Sequence, residues 1–90
     1  SFAEEEKQAD EFMNKKRYDQ AGELYNKLEP LARANYGGDS IQHVRLLHKL
    51  ARCQLMNQEA DSAKDSYLLL CNILSQNKKL APPNFNPVVE

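Results

Sequence analysis

Ala21-Gly22-Glu23-Leu24-Tyr25-Asn26-Lys27-Leu28 and Ala63-Lys64-Asp65-Ser66-Tyr67-Leu68-Leu69-Leu70 share one frame, Ala-x-x-x-Tyr-x-x-Leu, at a separation of 42 residues. Positions i, i+4 and i+7 lie on one face of a helix, so each stretch offers a small residue, a large aromatic and a leucine to the same neighbour. Worked outward at that offset, Lys7 meets Lys49, Ala9 meets Ala51, Asp19 meets Asp61 and Asn35 meets Asn77. Two unrelated amphipathic hairpins would share an apolar stripe, but not the same small residues in the same register. The spacing therefore predicts a duplicated unit.

Each unit reads as two helices. Phe2, Ala9, Phe12 and Met13 recur at helical spacing, pause at Asn14-Lys15-Lys16-Arg17, and resume as Tyr18, Ala21, Leu24, Tyr25, Leu28 and Leu31. Val44, Leu47, Leu50, Ala51 and Met56 repeat the arrangement, pause at Asn57-Gln58-Glu59, and continue through Ala60, Ala63, Tyr67, Leu70, Ile73 and Leu74. Gly37-Gly38 marks a helix stop, and Asp39-Ser40 supplies the N-cap of the third helix. Pro30 falls inside the second helix, where a missing donor predicts a kink between Asn26 and Pro30. No stretch of useful length alternates with period two, so the expected fold is all-α: two helical hairpins over 1–77, then a proline-containing tail, 78–90, either docked or extended.

Composition narrows the function classes. Thirteen acids against twelve bases give a net charge of -1, too weak a field to hold nucleic acid or an anionic membrane. The longest apolar run, Tyr67 to Cys71, is far below the roughly 20 residues of a membrane span. Glu4-Glu5-Glu6 is unlike a signal peptide. These features predict a cytoplasmic or nuclear protein. Cys53 and Cys71 fall in apolar helical positions and read as reduced, buried thiols. His43 and His48 stand five apart, which is off the i, i+4 spacing of a helical metal pair, and no Cys-x-x-Cys is present. Neither a metal nor another cofactor is expected, and nothing resembles a catalytic constellation.

The arrangement resembles the tetratricopeptide repeat (TPR) on Ala9, Phe12, Tyr18, Ala21, Tyr25 and Leu28 in the first unit and on Leu47, Leu50, Ala51, Ala60, Ala63, Tyr67 and Leu70 in the second. The 42-residue period, with Tyr36-Gly37-Gly38-Asp39 before Val44 and Leu47-x-x-Leu50-Ala51, is similar to the lengthened repeats of kinesin light chains. Glu5, Gln54 and the missing proline after the second helix of each unit depart from the family pattern. The resemblance implies a protein-interaction adaptor that binds an extended peptide in a groove lined by the first helix of each unit. It places Glu6, Asp10 and Asn14 on one wall and Arg45, His48, Lys49, Arg52 and Met56 on the other. Two roles stand open for these charges: pairing of Glu6 and Asp10 with Lys49 and Arg52, or a positive stripe of Arg45, Lys49 and Arg52 that receives an acidic segment. Relatives that clamp a terminal carboxylate use a lysine and an asparagine where Glu6 and Asp10 stand, which argues against that mode.

A second function class follows from the last helix. Tyr67, Leu68, Leu69, Leu70, Cys71, Ile73 and Leu74 put apolar side chains nearly all round it. Stacks of such units ordinarily need about three repeats to cover their faces. Leu68, Leu69 and Ile73 are therefore expected to meet the tail, a further repeat or a second copy, as in a homodimer. A third reading is the repeat region of a larger enzyme or scaffold.

Overall fold

In the computed structural model, which describes residues 1–77 and Lys79, the chain forms four helices: α1 (Phe2–Asn14), α2 (Tyr18–Tyr36), α3 (Ile41–Met56) and α4 (Ala60–Gln76). The fold is all-α, with two packed hairpins. Each helix packs mainly on its neighbours in sequence, α1 on α2, α2 on α3 and α3 on α4. The tail beyond these residues lies outside the described structure.

Local chemistry sets the helix ends. Ser1 caps α1, and Glu4 returns the bond to complete a capping box. Ser40 caps α3 by accepting from the His43 amide at 3.1 Å, and its hydroxyl donates to the Gly37 carbonyl at 2.6 Å. Gly37 ends α2 at φ +97°, a conformation that residues with a Cβ rarely adopt. α2 continues through Pro30 to Tyr36. Asn26 and Pro30 are both exposed, so water can serve the carbonyl that proline leaves without a donor.

The two hairpin turns are copies of one another at the backbone level. In the first, the Arg17 amide donates to Phe12 and the Lys16 amide to Met13, at 2.8 and 3.0 Å. In the second, Glu59 donates to Gln54 and Gln58 to Leu55, at 2.8 and 3.1 Å. Each pair is a Schellman closure, a 6→1 bond outside a 5→2 bond. Its hinge residue is left-handed, Lys16 at φ 61° and Gln58 at φ 62°. These hinges are 42 positions apart, so the duplication in sequence is also one of conformation.

Packing follows the small-large alternation. Ala9, Ala21, Tyr25, Leu28 and Ala32 of the first hairpin close over Leu46, Leu50 and Cys53 of α3. Val44 and Leu47, on another face of α3, meet Leu70, Ile73 and Leu74 of α4, with Tyr67 at the edge. α3 is thus buried from two sides. Ile73 belongs to this core, which corrects its grouping with Leu68 and Leu69 as an open surface. Leu68 and Leu69 are 58% and 45% exposed. Cys71 is exposed, contrary to the expectation of two buried thiols, because it sits at the open edge of the α3–α4 contact, just outside that core.

A left-handed residue with a Cβ costs roughly 1–2 kcal/mol. Gln58→Gly should accordingly raise stability by up to about 1 kcal/mol after the entropy of the freed chain is subtracted. Gln58→Val should lower it by at least about 1 kcal/mol. Urea unfolding of the two variants beside the parent checks both signs.

Candidate functional site

The first helices of the two units, α1 and α3, face each other across a groove of about 320 Å³ lined by Asp10, Met13, Asn14, Lys49 and Arg52, with Tyr25 of α2 at its floor. Periodicity puts them there: Asp10, Met13 and Asn14 share one face of α1, and Lys49 and Arg52 one face of α3.

Its charges are organised around Lys49. The ammonium donates to Glu6 Oε2 and to Asp10 Oδ2, both at 2.9 Å. Arg45 closes on Glu6 from the other side with two bonds, Nε to Oε2 and Nη2 to Oε1, each at 3.1 Å. The Tyr25 hydroxyl donates to the remaining Asp10 oxygen from the core side. Pairing across the hairpins is therefore what Glu6 and Asp10 do, but with Lys49 and Arg45 rather than with Arg52. The reason is register: Arg45 and Lys49 are one helical turn apart and bracket Glu6, whereas Arg52 lies beyond Asp10 toward Asn14.

Burial and charge oppose one another in this network. Burial alone would raise the pKa of Glu6, but hydrogen bonds from Arg45 and Lys49 outweigh it and hold the carboxyl below its ordinary 4.5. Burial likewise disfavours the charge on Lys49, yet Asp10 and Glu6 hold its pKa above the ordinary 10.5. The Tyr25 phenol is pushed up by its burial and by the adjacent Asp10 carboxylate. Arg52 is exposed in the groove and forms no ion pair among the described residues. It is the cation this wall offers outward.

The other candidates separate. Met56 is half-exposed near the end of α3, outside the groove lining. His48 is exposed and meets Tyr67 edge-on, ring centroids 6.4 Å apart. It lines a second, largely apolar groove of about 450 Å³ on the outer face of α3 and α4, with Val44, Arg45, Tyr67, Leu70, Cys71 and Leu74.

Spacing gave no sign of His43. Its ring is 1% exposed, with Nδ1 2.7 Å from the Gly38 carbonyl and Nε2 2.6 Å from Glu29 Oε2. Both partners are acceptors, and a neutral imidazole can donate to only one of them. The contact ties the Gly37-Gly38 turn to the middle of α2, a structural task that the 14-residue separation of Glu29 and His43 conceals. Beside these two residues runs a broader groove between α2 and α4, floored by α3 and lined by Asn26, Arg33, Gln54, Ser62 and Leu69 among others. Cys53 is inert by the same logic of burial: its thiol donates to the Tyr18 carbonyl at 3.2 Å, and desolvation raises its pKa to about 11.

Because the Glu6 carboxyl has a lower pKa folded than unfolded, the unfolded chain binds more protons in acid. Its contribution is complete well above pH 4.5 and is lost as the pH falls through the folded value. Glu6→Gln should cost about 1–2 kcal/mol near neutrality. It should also flatten the fall in stability below pH 4.5, measured by urea unfolding across a pH series.

Comparison of the chain with protein-family models, with curated proteins and with solved structures finds no match to any of them.

Proposed function

We propose that this chain is a protein-interaction module of TPR-like construction, an adaptor rather than an enzyme, that takes an extended acidic segment of a partner in the groove between α1 and α3. The observation that carries the reading is the division of labour among the cations. Lys49 and Arg45 are committed to Glu6 and Asp10, while Arg52 stands exposed beside Asn14 and Met13. A planar guanidinium with free donors is suited to bidentate recognition of a carboxylate, and the neighbouring amide and thioether can accept a peptide backbone and an apolar side chain. The groove calls for no cofactor. No helix among the described residues is long and apolar enough to cross a membrane, and cytoplasm or nucleus remains the proposed location.

Exposure of Leu68 and Leu69 favours a second reading, assembly of copies through α4. Light scattering over a wide concentration range tests it: a mass that rises with concentration, and that Leu68→Ser with Leu69→Ser abolishes, supports assembly. A constant monomer mass rejects it.

The peptide reading is tested by fluorescence anisotropy with a panel of acidic and charge-neutral peptides. Arg52→Glu removes no ion pair among the described residues, so it should leave stability within about 0.5 kcal/mol and weaken an acidic peptide by roughly tenfold or more. Unchanged affinity in the folded variant overturns the proposal. Lys49→Met is the contrasting variant, expected to lower stability first.

A further inference from the structure

The apolar groove on the outer face of α3 and α4 has a counterpart that is already filled. Moved back by 42 positions, Val44, His48, Tyr67, Leu70, Cys71 and Leu74 become Phe2, Glu6, Tyr25, Leu28, Glu29 and Ala32. Those are the residues of the first hairpin on which α3 sits. α3 fills that seat with Leu46, Leu50 and Cys53 against Tyr25, Leu28 and Ala32. Its polar rim pairs with that of the seat: Arg45 and Lys49 meet Glu6, Lys49 meets Asp10, and the His43 ring meets Glu29. The filled seat leaves Tyr25 1% exposed, whereas Tyr67 in the open one is only half-buried.

The rim of the open seat lacks those acids and carries a base. His48 stands where the first hairpin has Glu6 and the neutral Cys71 where it has Glu29, and the half-exposed Arg45 lines the groove beside them. We infer that this seat is the docking site for an amphipathic helix of a partner protein, one with an apolar stripe spaced like Leu46, Leu50 and Cys53 and acidic side chains where α3 carries Arg45 and Lys49. Neither residues 78–90 nor α1 has that chemistry. The tail 78–90 holds three prolines, two lysines and a single acid. α1 is acidic, but it spends Ala9 on its own core and Glu6 and Asp10 on its own α3. This surface is distinct from the α1–α3 groove, so either site can fail without the other.

Cys71 lies in the seat and is exposed, while Cys53 is buried, so alkylation of Cys71 in the full chain reports occupancy. The probe is a synthetic peptide of the α3 sequence, 41–56, carrying Arg45→Glu, Lys49→Glu and Cys53→Ala. The control peptide keeps both bases and carries only Cys53→Ala. The acidic peptide should slow alkylation of Cys71 with a midpoint about tenfold lower in concentration than the basic one. In the His48→Glu protein the preference should reverse. Equal protection by both peptides, protection by neither, or a preference that His48→Glu leaves unchanged overturns the inference. Protection in the free chain also overturns it, assigning the seat to a second copy if it grows with protein concentration, or to the tail if removal of residues 81–90 relieves it.

Discussion

α3 must bury two apolar faces at once, and most of the molecule is arranged around that requirement. A helical hairpin has too little surface to cover itself, so the first unit needs a helix laid on it and the second needs that same helix as half of its own core. Leu46, Leu50 and Cys53 serve the first purpose and Val44 and Leu47 the second. Each fully buried leucine contributes roughly 1.5–3 kcal/mol, a large part of the margin of a domain this small. The polar atoms that come along are then obliged to find partners. Glu6 is buried with Arg45 and Lys49 closed over it, and His43 with Glu29 and Gly38. Breaking these contacts would leave unpaired charge at the interface on which both hairpins depend.

The same constraint sorts the groove charges into two kinds. Those that hold α1 to α3 are satisfied within the chain. Arg52 has no such partner among the described residues, and its position just past the network gives the binding reading an exposed cation. A positive stripe of three residues divides, in three dimensions, into a pair engaged with Glu6 and Asp10 and a third, Arg52, that forms no ion pair among the described residues. Charge of one sign along a helix face says little about function until its intramolecular partners are known.

The sequence made the helices and the pairing legible because the 42-residue frame fixes which faces are small and which are large. Ala9, Ala21, Tyr25 and Leu28 are all core, as their spacing required. The turns were legible only as pauses: Lys16 and Gln58 are neither glycine nor asparagine, so the left-handed hinge of the Schellman closure leaves no compositional mark. His43 and Glu29 were invisible together because their partnership depends on the path of the Gly37-Gly38 turn. Cys71 was misplaced for a related reason. On a helix apolar nearly all round, composition does not say which side faces the neighbour, and only the docking angle of α4 on α3 decides that Ile73 goes in and Cys71 stays out.

The two tyrosines of the repeated frame also give the protein an optical property. The chain has no tryptophan, so its near-ultraviolet absorption and emission come from four tyrosines. Tyr25 is buried and donates its hydroxyl to the Asp10 carboxylate, while Tyr67 sits half-buried at an open face beside the His48 ring. Chemically identical chromophores at equivalent positions therefore experience one dry and one wet surrounding. The Tyr25 signal follows whether the hairpins are still joined, and the Tyr67 signal follows what arrives at the outer face.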